Sequence, residues 1–177
     1  QSSTIKITRI IMEILYDLEE KLLRMQQLLQ AGKAIKAKRL AEELLEEEPG
    51  LAEAHMTLGT IYENHLQDFA RAATCYALAV RFDESIAIAW YALIRMQYYL
   101  SDYVALEHTC ERALVHVHVY KFIVYQFHAL AQEEQLHFKR AIRLLELAQL
   151  YAMQDGDLDT AKKHIQRVKV KMDIKRD

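Results

Sequence analysis

His116 and His118 stand two residues apart, with His108 and Cys110 shortly before them, and imidazole and thiolate are the side chains that take up zinc. Positions two apart on a helix point away from each other, and a zinc ion needs further donors oriented by outer partners. The pair therefore reads as exposed histidines on a loop or helix end, where a contact would respond to mild acid. Cys75 and Cys110 match no CxxC or Cys/His spacing and lie inside apolar helical patterns, which predicts buried, reduced thiols rather than a disulfide. Glu46 to Glu48 and Glu133-Glu134 are carboxylate runs on helical patterns and are expected on solvated faces. GxGxxG, GxxxxGKS/T, GxSxG and HExxH are missing from the sequence, and neither cysteine has a positioned histidine. The expectation is a chain that is not an enzyme, with no catalytic residue, no metal and no cofactor.

Charge leaves one other chemistry open. From Lys162 to Asp177 seven basic residues, Lys162, Lys163, Arg167, Lys169, Lys171, Lys175 and Arg176, face two acidic ones. A basic helix can hold phosphates, but no aromatic side chain interleaves this one to stack on a base, and the whole chain has a net charge of −2. A solvated capping helix is the expected role, with a nucleic-acid-associated regulator as the minor alternative. Glu42, Glu43, Glu46, Glu47, Glu48 and Glu53 form an acidic counterpart elsewhere in the chain.

The elements that position these groups are helices. Of 177 residues, 52% are hydrophobic and 27% charged, with only 4 Gly and 1 Pro, so the chain has a core and few places to turn. No apolar run approaches the roughly 18 residues that would suggest a membrane span. Opening on Gln1 rather than on a charged and then apolar leader, the chain is expected to be cytoplasmic, with a removed export signal or a longer parent protein as the alternatives.

Sliding the sequence against itself by 34 to 35 residues brings a pattern into register. His55, Leu58, Gly59 and Tyr62 fall on Trp90, Leu93, Ile94 and Gln97, then on Tyr125, His128, Ala129 and Gln132. More strictly, Ala37, Ala41 and Leu44 match Ala72, Tyr76 and Ala79, then Leu106, Cys110 and Ala113, then Ala141, Leu145 and Ala148. Steps of four and three keep each triplet on one helix face, and small residues there let a paired helix come close. The aromatic or apolar entry residues Ile35, Phe69, Tyr103 and Phe138 precede the four triplets by two or three positions, and one extra residue lengthens the turn before Phe69.

A helix-turn-helix unit of this period, carrying Leu58, Gly59, Tyr62, Ala72, Tyr76 and Ala79, resembles the tetratricopeptide repeat. The first copy keeps Gly32, Ala37 and Pro49, the third keeps Trp90, Leu93 and Ala113 but has Ile94 where glycine is usual, and the fourth keeps Ala141 and Ala148. The resemblance implies an all-α, right-handed superhelical solenoid. The organisation expected is an N-terminal helical extension over 1–20, three to four repeats over 21–153 (about 21–51, 52–85, 86–121 and 122–153) and a basic capping helix over 154–177. Asp155 and Gly156 are expected to turn the chain before this last helix, with Asp157 or Asp159 capping its start.

The resemblance also implies function. In this family the first helix of each pair lines a concave groove that holds a peptide or helix of another protein. The corresponding positions here are Met56, Thr60 and Glu63 in the second copy, Tyr91, Arg95, Tyr98 and Tyr99 in the third, and Gln126, Leu130 and Glu133 in the fourth. Tyr and Arg commonly anchor interfaces because they bury a large area and still satisfy a polar tip. A tyrosine packed against a neighbouring helix is the competing reading for Tyr98 and Tyr99. The family's clamp for acidic chaperone C-termini is not carried over, because its places hold Met56, Thr60, Tyr91 and Ala92, leaving only Arg95. The expectation is an adaptor or scaffold that binds protein.

Residues 4 to 31 contain no Gly or Pro and place Ile11, Leu15, Leu18, Leu22, Met25 and Leu29 at alternating steps of four and three. Such a seam suits a partner helix. It caps the first repeat within the chain, or joins two copies, or, against the repulsion of Asp17, Glu19 and Glu20 from anionic lipid, lies on a membrane; the second possibility would make the protein a dimeric scaffold or a secretion-chaperone-like protein.

Overall fold

A computed structural model describes residues 2–175, with side chains from Ile5 onward; Gln1, Arg176 and Asp177, the ends of the expected extension and basic tail, lie outside the described residues. Among the described residues the chain is all helix: α1 (Ser2–Gln30), α2 (Ala34–Glu47), α3 (Ala52–Asn64), α4 (Phe69–Phe82), α5 (Ala87–Tyr99), α6 (Tyr103–Ala113), α7 (Lys121–Glu134), α8 (Phe138–Leu150) and α9 (Asp155–Ile174). They form two units, Gln1–Phe82 and Asp83–Asp177. Hairpins α1/α2 and α3/α4 build the first; α5/α6 and α7/α8, with α9 against α8, build the second. α1 runs unbroken across residue 20, so the expected extension and the first helix of the first repeat are one continuous helix.

Each hairpin turns at one residue with positive φ: Gly32 (+71°), Gln67 (+52°), Ser101 (+56°) and Leu136 (+61°). That left-handed residue lets the next amide reach back over the helix end, a pattern that satisfies otherwise orphaned carbonyls. Thus Lys33 N–H donates to the Leu28 carbonyl at 2.9 Å, Asp102 to Gln97 at 2.9 Å and His137 to Gln132 at 2.8 Å. In the second hairpin, with its extra residue, Asp68 N–H reaches Tyr62 at 2.9 Å. Asp68 and Asp102 then cap the following helices, their carboxylates accepting from the Arg71 amide at 3.0 Å and the Ala105 amide at 3.2 Å. Lys33 and His137 hold the same place and make no side-chain cap.

All four triplets are buried, each residue 2% exposed or less. Facing their central residues, Ala41, Tyr76, Cys110 and Leu145, the first helices carry Met25, Gly59, Ile94 and Ala129 at equal distance before the turn, apart from the one-residue insertion, and these are buried too. Large sits opposite small each time. Gly59 shows why: a Cβ there would lie 2.5 Å from the Tyr76 ring, so the aromatic side chain needs a glycine beneath it. Ile94 stands where the motif has glycine, and the residue at the register position of Tyr76 in its hairpin is the shorter Cys110.

The last helix starts earlier than expected. Asp155 and Gly156 form its first turn rather than the turn before it, and Gln154 holds the cap position without a side-chain bond. Asp155 and Asp157 supply negative charge at the positive helix end. Val168 packs with Ala129 and Leu145, and Ala161 with Phe122 and Ala148, so α9 shields the apolar side of the fourth hairpin.

Candidate functional site

In the second unit, α5 and α7 carry seven of the ten residues singled out from the sequence. Tyr91 is half-buried, and its hydroxyl accepts the Tyr120 amide at 2.6 Å, serving the N-terminus of α7, where Tyr120 has no side-chain cap of its own. Tyr120 repeats the device one helix pair later: its hydroxyl donates to Asp157 at 2.6 Å and accepts the Met153 amide at 2.8 Å. Burial and the Asp157 carboxylate raise the Tyr120 phenol above its ordinary range, so it stays a donor. The Tyr91 hydroxyl is thus engaged in joining α5 to the start of α7.

Tyr98 and Tyr99 divide the two readings between them. Tyr98 is half-buried, edge-on to Phe127 of α7 at 5.9 Å between ring centres and 6.4 Å from Tyr103 of α6. Burial, and next the Glu134 carboxylate, push its phenol above the ordinary value. Tyr99, 6.1 Å from Tyr98, is 55% exposed. Arg95, Gln126 and Leu130 are half-buried on the same two helices. In the aromatic ledge of Tyr98, Tyr99 and Phe127, Tyr99 is the exposed member and Tyr98 packs on Phe127. Phe127 was not singled out from the sequence; its signal was an aromatic one residue after Gln126 on a helix already rich in rings.

Glu133 has a different place. It is 3% exposed, and its carboxylate is held by Arg167 at 2.5 Å and Lys171 at 2.6 Å, both from α9. Burial alone would raise this carboxyl, but the hydrogen bonds from Lys171 and Arg167 outweigh it and hold it below the usual carboxylate range. Two of the basic tail's cations are thereby paired with a buried carboxylate, and a third, Lys175, sits over the Phe138 ring at 5.8 Å. Lys162 pairs with Asp159 at 3.8 Å.

In the first unit, Met56, Thr60 and Glu63 are half-buried on α3. The Thr60 hydroxyl donates back to the Met56 carbonyl at 3.0 Å, and Glu63 accepts from the Tyr76 hydroxyl at 2.6 Å, which fixes the ring over Gly59. The N-terminal seam divides. Met25 is fully buried and Leu18 and Leu22 pack with it against Ala41, Leu44 and Leu58, while Leu29 packs on Ala34, Ala37 and Ile61. Ile11 and Leu15 are exposed.

His116 and His118 lie between α6 and α7, off any helix, with their rings 5.4 Å apart. His116 packs on Trp90 at 5.2 Å and comes within 3.7 Å of Glu84, while the His118 ring nitrogen bonds the Glu84 carbonyl at 3.0 Å. Arg112 also reaches Glu84 at 3.0 Å. Among the described residues no group of three or more His, Cys, Asp or Glu is arranged to hold a metal ion. Cys75 and Cys110 are free and buried; burial pushes the Cys75 thiol up to about 11 and raises Cys110 as well, leaving neither as a nucleophile. No described helix is long and apolar enough to cross a membrane.

No protein-family model and no curated protein sequence matches the chain. Solved structures do. A MamA RS-1 ArsTM double mutant superposes with a TM-score of 0.73 at 18% identity, over 88% of this chain and 85% of that one. PilF of Pseudomonas aeruginosa matches with a TM-score of 0.67 at 17% identity, over 87% and 68% of the two chains. The TPR domain of Arabidopsis OM64 matches at 0.56 and 17% identity, over 66% of this chain and 94% of the domain. At such identities the fold is what is shared, and it is the tetratricopeptide-repeat fold.

Proposed function

From a tetratricopeptide-repeat fold whose second unit presents an aromatic ledge, we propose that this protein is a non-catalytic interaction module that holds a segment of another protein on the α5/α7 face. The observation that carries the reading is Tyr99, 55% exposed and backed by Tyr98, which is itself wedged against Phe127. A large exposed ring held by packed neighbours has the character of an interface anchor. Arg95, Gln126 and Leu130 supply the polar and apolar surroundings, and Tyr91 and Glu133 hold the helices that present them. Met56, Thr60 and Glu63 on α3 form the proposed binding face of the first unit. The buried thiols, and a basic tail partly occupied with Glu133, favour this reading over chemistry or phosphate binding.

The test is site-specific photocrosslinking in cells. A photoreactive residue replacing Gln126 is expected to trap a protein that the same residue at Val117, 97% exposed and off this face, does not trap. Adding Tyr99→Ala should cut the trapped yield at least about ten-fold, as expected for an anchor. Equal trapping from both positions, or no response to Tyr99→Ala, would sink the assignment.

A further inference from the structure

We propose that the projecting half of α1 binds a second copy of this chain, residues 7–18 of the two helices packing antiparallel. The inference is independent of the α5/α7 face. Ile7, Ile11 and Ile14 follow one another at steps of four and three and lead into Leu18, one edge of a helix written for a partner. They are 55%, 51% and 62% exposed, and Leu15 beside them is 52% exposed. One turn further on the same edge stops being exposed: Leu18 and Leu22 pack with Met25 onto α2 and α3. The uncovered stripe is thus the continuation of an interface already formed. Apolar surface of this continuity on a helix marks an association site.

Charge selects the occupant and its direction. Lys6 and Arg9 lie at the start of the stripe, and Glu13, Asp17, Glu19 and Glu20 follow, with Arg9 pairing Glu13 at 3.1 Å and Asp17 pairing Lys21 at 2.8 Å along the same helix. A parallel pair would set acidic stretch beside acidic stretch. An antiparallel pair, with Ile7 opposite Leu18 and Ile11 opposite Ile14, sets the basic start of each helix beside the acidic stretch of the other, and Lys6 comes to the flank of the partner's Asp17. Antiparallel alignment also places opposite helix-dipole ends together. The same carboxylates disfavour an anionic lipid surface as the occupant.

Sedimentation of the intact chain across a wide concentration range tests the proposal. The expected mass is twice 20.7 kDa, falling by half in Ile11→Asp/Ile14→Asp with the helical circular dichroism unchanged, since both side chains are exposed. Orientation is read by single cysteines, the native thiols being buried. In the antiparallel pair two Ile11→Cys residues lie about 4.5 Å apart along the axis and oxidise to a dimer, while two Ile7→Cys residues are about 16 Å apart and do not. Crosslinking of Ile7→Cys as readily as Ile11→Cys overturns the arrangement in favour of a parallel pair. A wild-type chain that stays monomeric, or that stays monomeric and sediments with phosphatidylcholine/phosphatidylglycerol vesicles, overturns the self-association itself.

Discussion

Leu136 holds its backbone at φ +61°, a region that costs an L-residue about 1–2 kcal/mol because Cβ crowds the following carbonyl. Gln67 and Ser101 carry the same strain at the same place in their hairpins, and Gly32 at +71° is the one position where the residue type removes it. The Leu136 side chain is 53% exposed, so little packing offsets the cost. Leu136→Gly is therefore expected to stabilise the protein by about 0.5–1 kcal/mol, the strain relieved less the added freedom of glycine in the unfolded chain. Gly32→Ala should lose about 1 kcal/mol, although nothing lies within 4 Å of the added methyl, because the conformation alone resists it. Urea midpoints at constant slope report both changes. A destabilised Leu136→Gly would mean that its side chain holds the turn.

Between helices, each hairpin divides a fixed volume in its own way: Met25 with Ala41, Gly59 with Tyr76, Ile94 with Cys110, Ala129 with Leu145. The glycine of the repeat motif is then one solution among several, required only where the opposite residue is an aromatic ring. Ile94→Ala should cost about 2–5 kcal/mol through the cavity it leaves, and Cys110→Leu about 1–3 kcal/mol through overpacking. Together they rewrite the third hairpin as the fourth, and the double variant should be more stable than the sum of the single losses by about 1–3 kcal/mol. Strict additivity in a denaturation cycle would sink the pairing. The triplets were readable from sequence because steps of four and three are a property of one helix. The start of α9, the exposure of Ile11 and Leu15 beside the burial of Met25, and the engagement of Tyr91 and Glu133 were not readable. The last two depend on residues about thirty positions away, Tyr91 on Tyr120 and Glu133 on Arg167, and no local pattern announces such a pair.

For the molecule as a whole, these long-range pairs concentrate in the second unit and give it a response to acid. Glu133 is ionised against Arg167 and Lys171, and its folded pKa lies below its unfolded one, so its contribution is present at neutral pH and lost as pH falls through the carboxylate range. His128 and His164 are lowered first of all by burial; Glu107 opposes the shift at His128 and Arg140 adds to it, while at His164 Arg167 adds to it and Glu133 opposes. A histidine lowered in the folded state is neutral there and takes up its proton more readily when unfolded, so its contribution also falls with pH, starting below the unfolded value near about 6.5. All three groups act with the same sign. Stability is expected to decline in two steps, one from about pH 6.5 downward and a second below about pH 4.5. His128→Gln/His164→Gln should flatten the first step, while Glu133→Gln should shrink the second, to which Asp83 also contributes, and lower stability at pH 7 by about 2 kcal/mol, having left two cations without their anion. Urea titrations at stepped pH separate the steps, and wild-type stability that stays level from pH 7 to 5 would show that the buried imidazoles carry no linkage. Because α9 holds Arg167, Lys171 and His164 together over the fourth hairpin, the same titration followed by hydrogen exchange should show α9 losing protection before α5 and α6.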